Sequence, residues 1–352
     1  MNTITIGDRV VGPGEPTFII AEAGSNHNGD LEIAKELIDA AVNAGADAVK
    51  FQTFRAEDLY VEDSGEVEYL EDKRDIYEII ESMEMPYEWI PELYDYCQEQ
   101  GILFMSTPFD ERSAKELAEY VPAWKVASYT SSHVPFLRHL AGTDKPIIMS
   151  TGAHELEEIH ESVKALREEG VNKLVLLHCV AAYPTPISDI NVRVVKTLYE
   201  EFKVLSGLSD HTLNATTAPT AAVALGASVI EKHFTLDKEM EGPDHEFALE
   251  PDELAAMVSA IRDTERALGD GKKREIEVES ELRRTARRRI QATREITEGS
   301  QIEQNDIRVL RPGNQSAGLA PKFRDDVIGC KATTKIRKGE GITWENIEQP
   351  ND

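Results

Sequence analysis

The fold is decided by two short apolar runs, Val204-Leu-Ser-Gly207 and Ser228-Val-Ile-Glu-Lys-His233, and by the helix-like residues 217–225 between them. Short apolar runs bounded by turn residues are typical of strands that are buried on both faces. A helix between two such strands is typical of a parallel strand–helix–strand unit. The stretch therefore predicts two neighbouring parallel strands joined by a helix.

The same rhythm extends from this stretch towards the start of the chain. Eight apolar runs occupy residues 17–21, 48–52, 102–106, 123–127, 146–150, 173–178, 204–207 and 228–233. Helix-like segments occupy residues 31–44, 111–120, 155–169, 192–202, 217–225 and 252–268. Eight strand–helix units in about 250 residues predict an α/β fold, a (β/α)8 TIM barrel. The alternative is a doubly wound open sheet, but no glycine-rich phosphate-binding motif follows the first run.

The rest of the chain is predicted to form three further parts. Residues 1–14 read as an N-terminal β-hairpin arm that ends in Gly12-Pro13-Gly14, before a barrel at residues 15–268. Residues 269–285 are charged and poor in large apolar groups, which favours a linker. Residues 286–350 alternate short β-like runs with turn signals and predict a small, mostly β domain.

The composition excludes several classes of protein. Hydrophobic residues make up 41% of the 352 residues, which excludes a disordered or fibrous chain. Acidic residues outnumber basic ones 65 to 38, a net charge of −27, which argues against binding to nucleic acid or membrane surfaces. No apolar run approaches the roughly 18 residues of a membrane span, and no basic segment followed by an apolar one begins the chain. A cytoplasmic protein with no membrane partner is predicted.

Basic residues concentrate near the end of the chain. From Arg283 onward, 14 Lys and Arg stand against 10 Asp and Glu, and the cluster Arg283-Arg284-Thr-Ala-Arg287-Arg288-Arg289 invites a nucleic-acid interpretation. The alternative is a linker and first strand whose arginines face the acidic barrel. Because the acidic barrel would repel a polyanion, we favour this alternative and expect no nucleic-acid partner.

Polar side chains stand at the carboxyl end of every predicted barrel strand, where barrel enzymes place their active sites. Inward side chains alternate along a strand, so Lys50 and Gln52 share one side, as do Glu231 and His233. A barrel built only for stability would not gather such residues at one rim. The strand ends supply Glu22, Lys50, Gln52, Thr107, Lys125, Ser128, Ser150, His178, Tyr183, Ser209, His211, Glu231 and His233.

The residue types indicate the chemistry. Lys50 and Lys125, with nearby hydroxyls, form a cationic surface suited to phosphate or carboxylate. His211 and His233 end neighbouring strands, so two imidazoles can converge on one divalent ion. Glu22 supplies a carboxylate for proton transfer or metal orientation. A phosphorylated and carboxylated small substrate beside a Lewis-acid metal is indicated, and phosphoenolpyruvate fits this description.

The motifs in their order resemble the sialic acid synthase family, whose members condense phosphoenolpyruvate with N-acetylmannosamine or related aminosugars. The motifs lie at residues 21–29 (Ala-Glu-Ala-Gly-Ser-Asn-His-Asn-Gly), 49–53, 150–152, 183–186, 207–212, 231–235 and 242–245. The tail, with Arg311-Pro-Gly-Asn314, is similar to the antifreeze-like SAF domain that closes these synthases. The resemblance covers nearly the whole chain.

The resemblance implies roles for individual residues. His211 and His233 would hold the divalent metal, Mn²⁺ or Mg²⁺. Arg311 would reach from the SAF domain of one subunit over the barrel mouth of its partner, which requires a domain-swapped homodimer. Phosphoenolpyruvate would be bound by Lys50, Thr107, Lys125, Ser128, Ser150 and Ser209. The sugar and the reaction centre would be lined by Glu22, Gln52, Tyr183 and Asp244, with Glu231 as a further catalytic carboxylate.

The sequence departs from the family pattern at two positions. Thr130 stands where members commonly carry Glu, and Ala181 stands where some carry an Asn that contacts phosphoenolpyruvate. Both changes remove a polar contact near the substrates. The acceptor is therefore left open among N-acetylmannosamine and the 2,4-diacetamido-trideoxyhexoses used for legionaminate and pseudaminate.

Two alternatives to this function remain. A synthase of another 3-deoxy sugar acid would not usually carry the SAF tail. An inactive polysaccharide-assembly or sugar-binding protein could have kept the barrel, but the intact His211, His233, Glu22 and both lysines favour an enzyme.

Overall fold

The computed structural model describes residues 3–67 and 73–349. Three predicted parts include residues outside this description: residues 1 and 2 of the hairpin arm, residues 68–72 of the barrel and residue 350 of the C-terminal domain. The chain divides into two units, residues 1–269 and residues 270–352. The predicted end of the barrel at residue 268 lies one residue from this division.

The first unit contains eight parallel strands in one sheet, as predicted for a TIM barrel. Their hydrogen-bonded order is β5-β4-β3-β10-β9-β8-β7-β6, and β5 also contacts β6, so the barrel is nearly closed. The strands are β3 Phe18–Gly24, β4 Ala48–Thr53, β5 Leu103–Pro108, β6 Trp124–Val126, β7 Ile147–Ser150, β8 Leu174–Cys179, β9 Leu205–Asp210 and β10 Val229–His233. They are preceded by the antiparallel hairpin β1 Ile4–Ile6 and β2 Arg9–Val11.

Helices connect the strands, and local sequence sets their ends. α1 begins after Asp30, whose side chain accepts hydrogen bonds from the backbone N–H groups of Glu32 and Ile33. α10 begins at Pro251, one residue before the predicted start, because proline suits the first helical position. The helices are α1 Leu31–Ala44, α2 Ala56–Leu59, α3 Ile76–Ser82, α4 Trp89–Gln100, α5 Glu111–Leu117, α6 Val134–Ala141, α7 Leu156–Glu168, α8 Val194–Phe202, α9 Thr217–Ala224 and α10 Pro251–Leu268. Within the described residues, no helix is long and apolar enough to span a membrane.

The barrel interior is layered, because each strand sends alternate side chains inward. Near the amino-terminal ends of the strands the interior is apolar, and Ile4, Ile6 and Val11 of the hairpin pack with it. The buried side chains there are Phe18, Ile20, Ala48, Met105, Ala123, Ile148, Val175, Leu177, Leu205 and Val229. Two residues further along the strands the inward positions become mostly polar, and the candidate site begins there.

The second unit is small and rich in short strands, as predicted. Two antiparallel pairs join β11 Arg289–Ala292 to β12 Ile307–Leu310 and β13 Lys331–Ala332 to β14 Ile347–Glu348. Isoleucines dominate its buried core. The segment predicted as a linker is partly helical, with α11 at Ser280–Ala286. Good helix formers in that segment (Glu281, Leu282, Arg283 and Arg284) account for this turn of helix. A further short helix, α12, spans Arg324–Val327.

Candidate active site

A ring of buried side chains forms the polar layer of the barrel. Each strand contributes one residue, and the eight are Glu22, Lys50, Thr107, Lys125, Ser150, Cys179, Ser209 and Glu231. Seven of them were predicted from the strand ends. Strand register explains their proximity, because Glu22 and Lys50 lie directly opposite each other on β3 and β4. The layer stands at the carboxyl ends of the strands, where loops can admit a substrate.

Lys50 lies at the centre of one half of this ring. Its Nζ is 2.6 Å from Glu22 Oε2 and 3.7 Å from Glu231 Oε2, and it donates a 2.9 Å hydrogen bond to Thr107 Oγ1. Burial opposes the charge of Lys50, but pairing with Glu22 and Glu231 outweighs it and raises the pKa of the ammonium. Lys50 is therefore held charged in a site from which water is largely excluded.

Lys125 lies in the other half of the ring. Its Nζ donates to Ser150 Oγ at 2.9 Å and lies 3.4 Å from Glu231 Oε1, which also accepts from Ser209 Oγ at 3.0 Å. Burial lowers the pKa of Lys125, since Glu231 only partly offsets the loss of hydration. Glu231 thus stands between the two lysines.

The lysines of the expected cationic surface are both paired with carboxylates in the structure. Two carboxylates, Glu22 and Glu231, balance Lys50 and Lys125. The lysines and the glutamates were predicted from the strand ends, but their pairing was not. Burial raises the pKa of Glu22 to about 7, despite the opposing pull of Lys50. A proton at Glu22 would leave the ring with a net positive charge, which suits an anionic ligand.

Three polar side chains converge around Gly24, above the ring. Gln52 Nε2 donates to Glu22 Oε1 at 3.0 Å. Gly24 has φ 56°, and a Cβ atom there would lie 3.3 Å from Asp244 Oδ2 and 3.5 Å from Gln52 Nε2. Glycine thus leaves room for the two groups and adopts the left-handed backbone. Burial raises the pKa of Asp244 to about 6.

His211 and His233 lie side by side, with ring centroids 5.5 Å apart. His211 Nδ1 is 2.8 Å from the Val180 carbonyl oxygen, which leaves Nε2 for another partner. His233 Nδ1 is buried without a hydrogen bond and lies 3.8 Å from Asp244 Oδ2. Burial, with the positive neighbours, keeps the pKa of His233 well below its ordinary value, so this imidazole is neutral.

The two imidazoles could hold a divalent ion. Within residues 3–67 and 73–349, no set of three or more His, Cys, Asp or Glu side chains is already clustered as a metal site. The neutral imidazole of His233 has an unpaired buried nitrogen and lies beside the His211 imidazole and the Asp244 carboxylate. These groups fit a metal ion that keeps open coordination positions. Imidazole and carboxylate donors bind many divalent metals, so they do not select Mn²⁺ or Mg²⁺ in particular.

An aromatic group covers the histidines. The Tyr183 ring lies 4.2 Å from the His211 ring and 5.3 Å from the Phe247 ring, and Phe247 lies 5.2 Å from His233. Tyr183 was predicted, whereas Phe247 was missed. Phe247 could have been expected near the site, because it follows the Gly242–His245 motif by two residues.

On the sixth barrel strand, the residue that faces the site differs from the one predicted. His178 was named at the end of that strand, but it does not join the ring: its Nε2 is 2.6 Å from the Ile190 carbonyl oxygen and fixes the following loop. Cys179 takes the inward position, as the alternation from Leu177 requires. Its Sγ lies 3.9 Å from His211 Nδ1. Nearby, Ser128 Oγ accepts from the Gly152 N–H at 3.0 Å, which places Ser128 beside the ring.

Several motif residues support the site without lining it. Asn26 Nδ2 donates to the Phe234 carbonyl oxygen at 2.9 Å, and His245 bridges Thr235 Oγ1 at 2.6 Å and Asn28 Oδ1 at 3.1 Å. These bonds tie the loop after β3 to the loop after β10. The loop that carries Asp244 is thereby held over Glu22 and Gln52.

Arg311 belongs to the second unit. It follows β12 in the second unit and is exposed. Its predicted approach to a partner's barrel stays a prediction. At the two departures from the family pattern, Thr130 is buried and Ala181 is half-buried. Ala181 places its backbone nitrogen near Gly152.

The fold and site define the class of the protein: a TIM barrel with a polar ring and a histidine pair at the strand ends, followed by a small strand-rich domain. Residues 37–273 match the NeuB family and residues 287–348 match the SAF domain. The chain belongs to the NeuB family.

Individual relatives agree with this assignment. The chain is 43% identical to the spore coat polysaccharide biosynthesis protein SpsE of Bacillus subtilis, over 99% of this chain and 98% of that protein. It is 41% identical to the N,N'-diacetyllegionaminic acid synthase of Legionella pneumophila, over 94% of each chain. The crystal structure of a sialic acid synthetase from Leptospira borgpetersenii matches with a TM-score of 0.73 and 34% identity, over 80% of this chain and 94% of that one. The relatives thus include synthases of nonulosonic acids.

Proposed function

We propose that this protein condenses phosphoenolpyruvate with an N-acetylated aminosugar, N-acetylmannosamine or a related one, to give a sialic or other nonulosonic acid and phosphate. The observation that carries the proposal is the buried ring itself. Among the described residues, Glu22 Oε2 and Glu231 Oε2 are reached by no donor other than the Lys50 ammonium group, at 2.6 Å and 3.7 Å. An anionic substrate can therefore replace the carboxylates as a partner of the lysine ammonium groups.

Phosphoenolpyruvate binds to the ring through its two anionic groups. Lys50 and Lys125 stand on opposite sides of Glu231, so each can meet one anionic group of the same ligand. The hydroxyls add neutral donors at Thr107, Ser128, Ser150 and Ser209. Together they orient the ligand, with carbon 3 turned towards the barrel mouth.

His211 and His233 would hold a divalent metal, Mn²⁺ or Mg²⁺. When bound, such an ion supplies Lewis-acid polarisation of a carbonyl oxygen. Asp244, at 3.8 Å from His233 Nδ1, would hold the acceptor or the imidazole in place. Tyr183, whose ring centroid lies 4.2 Å from that of His211, would limit the room above the acceptor aldehyde.

Carbon 3 of phosphoenolpyruvate then bonds to the aldehyde carbon of the open-chain aminosugar. Positive charge develops at carbon 2 and is stabilised by Glu22 and Glu231. Water adds to carbon 2, and phosphate leaves when the bond between carbon 2 and oxygen breaks. One proton of the water ends on the new alcohol and the other on phosphate. Glu22, with a pKa raised by burial to about 7, can accept and pass on such a proton near neutral pH.

The proposal also covers the oligomeric state and the cellular location. Arg311 would complete the acceptor side of a partner's barrel in a domain-swapped homodimer. The protein would work in the cytoplasm on soluble substrates. The exposed position of Arg311 and the positive charge of the chain's end support an approach to an acidic barrel.

The alternative acceptors are the 2,4-diacetamido-trideoxyhexoses that lead to legionaminate or pseudaminate. The identity of 41% to a legionaminic acid synthase favours this class. An inactive polysaccharide-assembly or sugar-binding protein is the remaining alternative.

A phosphate-release assay tests the proposal. Phosphoenolpyruvate, Mn²⁺ and a panel of the three aminosugars should give acceptor-dependent release of phosphate. If no aminosugar of the panel gives phosphate release, the enzymatic proposal is overturned and a binding protein is favoured. His233→Ala should abolish turnover, and full turnover with unchanged metal dependence in this variant would refute the metal assignment.

A further inference from the structure

The loop that follows β7 is held by a histidine that has no assigned role so far. It runs from Thr151 to His154 and starts directly after Ser150, the last residue of the strand. Ser150 belongs to the polar ring, where its hydroxyl accepts from Lys125 Nζ at 2.9 Å. A shift of this loop would therefore change the half of the ring that contains Lys125.

Both ends of the loop are fixed without the histidine. The N–H and the hydroxyl of Thr151 donate to the Leu177 carbonyl oxygen on β8, at 3.0 Å and 2.9 Å. At the other end, the Glu155 N–H donates to Glu158 Oε2 at 2.8 Å, and α7 starts there with a capping box. The conformation of residues 152–154 is set by the contacts between these two fixed ends.

The backbone of Ala153 lies in the left-handed region, with φ 58°, which disfavours a residue with a Cβ atom. His154 closes the loop around this residue, because its Nδ1 lies 2.7 Å from the Gly152 carbonyl oxygen. A carbonyl oxygen only accepts, so Nδ1 carries the hydrogen. The cost of a left-handed alanine and the gain from one such bond are of similar size. The bond from His154 therefore decides whether the loop keeps this conformation.

Gly152 connects the loop to a side chain of the site. Its N–H donates to Ser128 Oγ at 3.0 Å. A Cβ atom at position 152 would lie 2.9 Å from that oxygen and 3.2 Å from Cys179 Sγ, so this close approach requires glycine. Ser128 accepts the bond and keeps its own hydrogen for donation. The Cys179 sulfur within its reach is a weak acceptor, which an anionic oxygen of a ligand can replace.

The turn that carries Ser128 has supports of its own. Ser131 Oγ donates to the Ser128 carbonyl oxygen at 2.9 Å, and Ser162 Oγ on α7 donates to the Ser131 carbonyl oxygen at 2.8 Å. His154 adds a longer contact there, 3.4 Å from Nε2 to Ser131 Oγ. Loss of the His154 ring should therefore move Gly152 more than it moves the backbone of Ser128. The Ser128 hydroxyl would then lose the N–H group that orients it.

We propose that His154 is a positioning residue for phosphoenolpyruvate: it holds the peptide between Gly152 and Ala153 so that the Gly152 N–H keeps the Ser128 hydroxyl turned towards the bound anion. The inference rests on the proposed function. His154 acts on the substrate only through Gly152 and Ser128. Its loss should therefore weaken the binding of phosphoenolpyruvate and leave the acceptor and the metal site unaffected.

The test combines steady-state kinetics with calorimetric titration of phosphoenolpyruvate alone in matched variants. His154→Ala should raise both KM and Kd for phosphoenolpyruvate about tenfold, because the hydrogen bond that fixes the loop is lost. The kcat and the KM for the aminosugar should change less than about twofold. His154→Asn should stay within about twofold of wild type, since its amide N–H takes the place of the imidazole Nδ1–H.

A double variant separates positioning from direct contact. Ala153→Gly, added to His154→Ala, removes the cost of the left-handed alanine and should recover about threefold of the lost affinity. His160→Ala is the control, because His160 is an exposed histidine on the same helix, paired with Glu201, and its loss should leave KM unchanged. Since neither histidine is fully buried, all variants should unfold at denaturant concentrations close to that of wild type.

Three results would each overturn the inference while leaving the proposed function intact. They are an unchanged KM for phosphoenolpyruvate in His154→Ala, no recovery in His154→Asn, and no recovery when Ala153→Gly is added. The last two would indicate a role of the imidazole other than holding the loop. A wild type that binds phosphoenolpyruvate but releases no phosphate with any aminosugar would instead refute the proposed function, and calorimetry would still test the role of His154.

Discussion

Two buried lysine–carboxylate pairs lie on opposite faces of the same barrel wall. On the outward face, Lys232 Nζ is 2.6 Å from Asp210 Oδ2 and donates to the Thr212 carbonyl oxygen at 2.5 Å. Asp210 also accepts from the Thr212 N–H at 2.9 Å and its hydroxyl at 3.1 Å. Both Asp210 oxygens are thus hydrogen-bonded, so this pair is complete without a ligand.

On the inward face, Lys50 and Glu22 form a pair of the same length, 2.6 Å. Here the same ammonium group is the only donor that the described residues bring to Glu22 Oε2 and to the nearby Glu231 Oε2, so neither oxygen has a second partner. A buried pair whose partners are all satisfied stabilises one conformation, whereas an incomplete one can exchange a partner for a ligand. The difference indicates that Lys232 serves the fold and Lys50 serves the chemistry.

The largest expected effect comes from breaking the inward pair. Lys50→Met should lower turnover about a thousandfold or more, because a charge that binds and orients the substrate is lost. The free energy of unfolding should change little, since Glu22, with its raised pKa, can take a proton when its partner is gone. Phosphate release and guanidinium unfolding measure the two quantities. Turnover above a tenth of wild type would contradict the assignment.

Breaking the outward pair should have the opposite outcome. Lys232→Met leaves Asp210 buried without a counter-charge, so the free energy of unfolding should fall by about 3–5 kcal/mol. The double variant Lys232→Met/Asp210→Asn, which removes both charges, should recover part of the loss. Denaturant titration checks both variants. A loss under about 1 kcal/mol for the single variant would show that the pair is not structural.

The pH dependence of stability sharpens the comparison. Burial raises the pKa of Glu22 to about 7 from 4.5, so the native protein retains a proton that the unfolded chain releases. The stability that this proton contributes is complete below pH 4.5 and is lost as the pH rises through 7. Glu22→Gln removes this dependence. Its free energy of unfolding relative to wild type should therefore rise by about 3 kcal/mol between pH 4.5 and 8. Parallel stability curves for the two proteins would reject the pKa shift.

The smallest effect concerns a hydroxyl of the ring. Thr107 accepts from Lys50 Nζ at 2.9 Å, and Thr107→Val removes that partner while keeping the shape of the side chain. KM for phosphoenolpyruvate should rise about fivefold, with a loss of roughly 1 kcal/mol of binding. Steady-state kinetics measure this change, and Thr53→Val, outside the ring, is a control that should leave KM unchanged. An unaltered KM in Thr107→Val would remove Thr107 from the binding set.

Much of the fold could be predicted from the sequence, because the strands of a buried barrel are short and apolar and alternate with helices. The strand ends could be predicted for the same reason, and two-residue alternation placed Glu231 and His233 on one side. The long connection between β4 and β5 was not resolved into separate helices. α2 and α3 are short, but α4 has 12 residues, and the helical spacing of its buried Ile90, Leu93 and Cys97 was a signal that the sequence offered.

Parts of the site needed three-dimensional information. Alternation from Leu177 should have selected Cys179 rather than His178, but a histidine at a strand end is the stronger chemical signal. The pairing of Lys50 with Glu22 joins residues on two strands, and only the register between β3 and β4 brings them together. The pKa of Glu22 follows from burial, which a sequence does not display.

In the proposed reaction, phosphoenolpyruvate joins an aminosugar with cleavage of its carbon–oxygen bond. The most direct measurement uses phosphoenolpyruvate with ¹⁸O in the oxygen that bridges carbon 2 and phosphorus, and mass spectrometry of both products. We expect a nine-carbon acid with the mass of acceptor, phosphoenolpyruvate and water less phosphate, and all of the ¹⁸O in the phosphate. A product that retains the ¹⁸O, or phosphate release without a nine-carbon acid, would contradict it.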